Sequence, residues 1–127
     1  MFMTRKGFTL IELIMVIVLL GLLAVLAIPK YYDLTASATA AAEKGVVGGV
    51  RGGILTYFAK NRAYPATLDG YANQACSATI KCFDTVLDQG GVRQNWAKAG
   101  ARTYTGPTGT TYTYTPATGA FVGVVEN

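Results

Sequence analysis

Histidine is missing from this chain of 127 residues, and serine is confined to Ser37 and Ser77. The commonest general base and a usual zinc ligand are therefore both unavailable. No glycine loop stands between a strand pattern and a helix pattern, so a phosphate cradle is lacking; the glycines from 45 to 53 fall inside a helical pattern instead. Such a sequence reads as non-catalytic. Charge is sparse as well, and the basic residues Lys60, Arg62, Lys81, Arg93, Lys98 and Arg102 are scattered rather than run together. A net charge of +4 spread in this way reads as solvated surface, not as a nucleic-acid patch. With only Cys76 and Cys82, there is no second thiol pair to complete a metal site.

The most consequential gap is local. From Leu13 to Ile28 there is no charged residue and no proline, and only Gly21 lacks an apolar side chain. At 1.5 Å per residue, Phe8 to Ile28 reaches about 31 Å as a helix, close to the ~30 Å hydrocarbon thickness of a bilayer. Arg5 and Lys6 precede the run, which predicts a cytoplasmic N-terminus and an exported C-terminal portion. Glu12 lies within this span near its start. A carboxylate in an apolar segment costs roughly 2.5–3.5 kcal/mol near the helix centre, less at an end where it can snorkel, and calls for a partner or a task.

Gly7-Phe8-Thr9-Leu10-Ile11-Glu12, preceded by Arg5-Lys6 and followed by the apolar run with Pro29 just beyond, closely resembles the prepilin-type cleavage and methylation motif of type IV pilins and type II secretion pseudopilins. The resemblance implies cleavage after Gly7, so that residues 1–7 form a leader and Phe8 becomes the methylated N-terminus. It implies that Glu12 pairs with the N-terminal amine of a neighbouring subunit during filament assembly, which would supply the partner the energetics require. Loss of the leader removes two cations and leaves 9 basic against 7 acidic residues. An ordinary secretory signal ending at Val25-Leu26-Ala27 is the competing reading, disfavoured by the length of the run and by Glu12.

Beyond the span, Pro29 and Gly21 predict a kink or a locally melted stretch between them, and Tyr31 and Tyr32 fall at headgroup level. The helical pattern resumes over 30–62. On a wheel, Val46, Val47, Val50, Ile54, Tyr57 and Phe58 gather on one face, expected to pack on the C-terminal domain. The glycines gather opposite, facing away from it. Gly45, Gly49 and Gly53 are thus candidates for a close contact with another helix, against the alternative of a frayed or bent helix. Tyr64-Pro65 should stop the helix, and residues 61–68 resemble the Tyr-Pro segment that follows the long helix in many pseudopilins and in some short pilins.

Residues 63–127 carry a thin core, a size at which extra staples are common. Exported, Cys76 and Cys82 are free to form a disulfide contributing about 2–3 kcal/mol, with a metal pair or free thiols as alternatives. Cys82 to Gln89 reads as a short helix with Phe83, Val86 and Leu87 on one face. Asp84 and Asp88 on it, with Asp69, are weak calcium candidates by analogy with major pseudopilins, although no Asp-x-Asp-x-Asp run is present and solvated carboxylates fit better. Strands are expected at 102–105, 110–115 and 120–125, separated by Gly/Pro turns, with Trp96 as a core aromatic. The architecture expected is α+β: a long helix, transmembrane over 8–29 and amphipathic over 30–62, on a small antiparallel sheet, the lollipop of a type IV pilin.

The function this implies is assembly without a cofactor. The chain reads as a pilin that leaves the inner membrane for an extracellular filament serving adhesion, motility or DNA uptake, with prepilin peptidase and the assembly machinery as partners. The alternative is a major pseudopilin of a type II secretion system, building a periplasmic pseudopilus. An anchored binding domain is the reading outside this class, and no pocket-forming constellation supports it.

Overall fold

The computed structural model describes residues 5–124. Its first element is a single helix, α1, Leu10–Asn61, of 52 residues. The helix is unbroken through Gly21 and Pro29, so the melted stretch expected there is not formed. Pro29 forfeits only the bond its own N–H would give to Val25, and the turns on either side keep their ladder. α1 ends as Tyr64-Pro65 predicted: the Arg62 N–H donates to the Phe58 carbonyl at 2.7 Å, and Arg62 itself takes the left-handed conformation (φ 57°) that closes many helices.

The chain divides into two compact units, Met1–Ser37 and Ala38–Asn127. In the first, the described side chains from the start of α1 all lie exposed. The second contains the rest of α1, a long connection and four strands: β1 (Ala97–Gly100), β2 (Thr103–Thr105), β3 (Thr111–Thr115) and β4 (Ala120–Val124). They form an antiparallel meander in the order β1-β2-β3-β4. The fold is the α+β one expected, with one strand more than the sequence suggested. Ala-Lys-Ala-Gly offers no β-branched or aromatic residue to mark β1; pairing with β2 on one side and a bridge from Ala75 on the other make it a strand. The anticipated last residue of β4, Val125, lies outside the described residues.

Alternation in β3 runs as predicted, with Tyr112 and Tyr114 buried and Thr113 and Thr115 exposed. The tyrosines meet Val47, Val50 and Ile54 of α1 in one core, where Phe83 is the hub: its ring lies 4.4 Å from Tyr104, 5.3 Å from Trp96 and 5.7 Å from Phe121. Phe58, expected on the packed face, sits at its edge and stacks on Tyr64 instead, with centroids 4.5 Å apart.

The expected helix over 82–89 is replaced by turns. Cys82 exchanges two backbone hydrogen bonds with Val92, at 3.0 and 2.7 Å, and Phe83 is left-handed (φ 64°), so the segment cannot begin as a helix. Phe83 and Val86 are nonetheless buried, because a turn in which Val86 and Leu87 both donate to the Phe83 carbonyl folds them inward. Within this segment Cys82 is joined to Cys76 by a disulfide, with Cα atoms 5.6 Å apart.

Candidate functional site

At the start of α1, the Thr9 N–H donates to Glu12 Oε2 at 2.9 Å and the Glu12 N–H donates to Thr9 Oγ1 at 3.4 Å. This reciprocal pair is a capping box, which satisfies two of the donors a helix start leaves open. Thr-x-x-Glu before an apolar run is its sequence signature, so the box is legible in the sequence. Glu12 therefore has a local task besides any intermolecular one. No hydrogen bond among the described residues reaches its Oε1, which is exposed and available to a cation.

Behind the box, the span is bare. Phe8 is 91% exposed, and the large apolar side chains from Leu10 to Ile28 are all more than two-fifths exposed. α1 is long and apolar enough at its N-terminal end to cross a membrane. A continuous apolar surface of this size does not persist in water; it requires lipid or other copies of the chain around it.

The second unit holds two buried carboxylates whose burial the sequence pattern does not announce. Glu43, 3% exposed, accepts from the Tyr112 hydroxyl at 2.6 Å and from the Thr108 N–H at 2.7 Å. Burial pushes its carboxyl upward, but these hydrogen bonds and those of the Thr108 and Thr110 hydroxyls outweigh that and hold it below the ordinary value. Burial, with the bond to Glu43, pushes Tyr112 up to about 12. The β2–β3 loop comes so close that a Cβ on Gly106 would lie 2.6 Å from the Glu43 carboxyl carbon, so a larger residue there would push the carboxyl off its partners. Glu43 is one helical turn from Val47 and shares its face, which was the available signal.

Asp69 is the other. It pairs with Lys98, accepts from the Tyr104 hydroxyl at 2.7 Å, and takes longer bonds from the Tyr71 and Phe83 N–H groups. Burial, followed by this bond to Asp69, drives the Tyr104 phenol far above its usual range. Of the three calcium candidates, Asp69 is committed to Lys98, while Asp84 and Asp88 lie on turns rather than on one helix face.

The glycine face is corrected. A Cβ on Gly53 would lie 1.9 Å from the Val86 carbonyl oxygen, and one on Gly49 would touch Leu87. These two glycines admit the chain's own 83–88 turn rather than another helix, because the turn packs beside the valine stripe where the wheel left room. Gly45, Gly48 and Gly52 have nothing within 4 Å of their Cβ positions.

Span and head together define a pilin-like structural subunit. A family model described as the prokaryotic N-terminal methylation motif matches residues 2–28. Fimbrial protein EcpC of Eikenella corrodens is 39% identical over 62 residues, covering 49% of this chain and 40% of the relative. Type IV narrow pilus major component PilA5 of Thermus thermophilus is 35% identical over 77 residues, 61% of this chain and 66% of the relative. Type II secretion system core protein G of Pseudomonas aeruginosa is 36% identical over 66 residues, 52% of this chain and 46% of the relative. The matched stretch thus spans less than half of the fimbrial and secretion relatives and about two thirds of the narrow pilus component. No solved structure matches. The chain belongs to the type IV pilin and type II secretion pseudopilin family, whose members are structural proteins, not enzymes.

Proposed function

We propose that the chain is a type IV pilin, stored in the inner membrane by its span and polymerised into an extracellular filament for adhesion, motility or DNA uptake. The single observation that carries this reading is the uncovered apolar span headed by Glu12 inside the methylation motif. Prepilin peptidase cuts after Gly7, Phe8 is methylated, and Glu12 Oε1 receives the Phe8 amine of a neighbouring subunit while Oε2 keeps the capping box. In a low-dielectric filament core each charge then has its partner. Gly21 and Pro29 mark the weakest stretch of the span, where the helix bends as subunits pack. Gly45, Gly48 and Gly52 form the bare face on which a second helix approaches.

The secretion relative and the Tyr64-Pro65 segment support a second reading, a major pseudopilin of a type II secretion system. Shearing whole cells and comparing the sheared and membrane fractions separates the two. Abundant subunit in the sheared fraction is the result expected of a pilus; subunit found only in membranes would favour the periplasmic pseudopilus.

A further inference from the structure

Lys98 sits on a strand of a thin-cored domain with its side chain turned inward, beside a bulge that shifts the register of β1 between Lys98 and Gly100. A buried lysine in so small a core is costly, since an ammonium out of water needs full compensation. Its surroundings are unusually well defined. The Lys98 and Asp69 side chains are 4% and 0% exposed, Nζ and Oδ1 are in direct contact, and Nζ also donates to the Tyr71 carbonyl at 2.7 Å. The carboxyl is held from the other side by the Tyr104 hydroxyl on Oδ2 at 2.7 Å, by the Phe83 N–H on Oδ2 and by the Tyr71 N–H on Oδ1. An amine and a carboxyl are thus fixed against each other, away from water, with the Tyr71 N–H on the oxygen that would carry the charge of a tetrahedral intermediate.

We infer that Lys98 and Asp69 condense into an intramolecular amide, a second covalent staple beside the disulfide. The ion pair already contains every atom required. One ammonium proton first passes to the carboxyl, which frees the Nζ lone pair to form the new bond to Cγ; the Cγ–Oδ2 bond then breaks, and Oδ2 leaves as water with the two protons that Nζ has given up. The Tyr104 hydroxyl relays a proton to Oδ2 and recovers one, and Oδ1 remains as the amide oxygen facing the Tyr71 N–H. No oxidant or cofactor enters. The product replaces two buried charges by one neutral group and ties β1 to the connection that follows α1. This inference does not depend on how the N-terminus is processed.

Tryptic digestion of the full chain, purified in detergent from membranes, reduced and alkylated, tests it. The amide predicts that cleavage after Lys98 fails and that Ala63–Lys81 is recovered joined to Gln94–Arg102, lighter by one water than the two peptides together. Tandem fragmentation should place the junction at Asp69 and Lys98, and Lys98→Arg, which cannot condense, should yield separate peptides. Recovery of unlinked Ala63–Lys81 with normal cleavage after Lys98 in the folded wild-type chain would overturn the inference, as would a water loss located elsewhere.

Discussion

The two ends of α1 obey opposite rules. Its first part carries apolar side chains all round and covers none of them, whereas the part within the second unit buries only Glu43, Val47, Val50 and Ile54, one stripe turned to the core. A stripe is what a helix needs to fold with its own domain; an apolar surface on every side is what it needs to be surrounded. The difference teaches that the second unit satisfies its own apolar surface while the span does not, and it is this uncovered surface that the proposed assembly would use.

The comparison breaks most visibly at Glu12. Glu12→Val should leave membrane insertion intact and abolish filaments, scored by shearing and electron microscopy. Glu12→Gln sharpens the point, because glutamine preserves the capping box but not the charge. If amine pairing is the task, Glu12→Gln should fail as completely as Glu12→Val; filaments at wild-type amounts would reduce Glu12 to a cap.

In the head the largest effect should come from Lys98→Met, which strands the Asp69 carboxylate in the core. A loss of about 3–5 kcal/mol is expected, read by thermal unfolding of the detergent-solubilised chain. Replacing both Cys76 and Cys82 by serine removes a short loop closure and should cost about 2 kcal/mol, leaving the span unaffected. Gly48→Leu should stabilise the free subunit by about 0.5–1 kcal/mol through helix propensity while lowering filament yield. Unchanged yield would mean that the bare face meets no neighbour.

The pH dependence should be the mildest and belongs to the head alone. The Glu43 carboxyl is held below its ordinary value of 4.5, so its stabilisation is full above that value and is lost as pH falls through the folded-state value. Tyr112 acts at the other limit: raised from 10.0 to about 12, it makes the head less stable as pH climbs past 10, because only the unfolded chain releases that proton. Tyr112→Phe should weaken both limbs of a melting temperature profile without abolishing either, because Thr108 and Thr110 still hold Glu43 and the Tyr104 phenol stays raised.

The span could be read from composition alone, because a run from Leu13 to Ile28 without charge or proline has few other uses, and the motif ahead of it is specific. The disulfide and the Tyr112/Tyr114 alternation were equally plain, the first from two cysteines in a segment expected to be exported, the second from a period of two. What the sequence concealed were the interactions made between distant segments. Glu43 and Asp69 look like surface carboxylates until Tyr112 and Lys98, far along the chain, arrive to satisfy them. β1 has no strand propensity of its own, and the 82–89 turn has a helical pattern that the Cys82–Val92 bridge overrides. Gly53 showed a bare helix face, but only the fold shows that Val86 occupies it.

The most direct test of the central claim is the N-terminal sequence and intact mass of the subunit recovered from sheared filaments. A chain that begins at methylated Phe8, still carrying its whole span, is the predicted result. A chain that begins at Ile28, cut behind the span, would contradict the account, since a subunit without that helix has nothing from which to build the filament core.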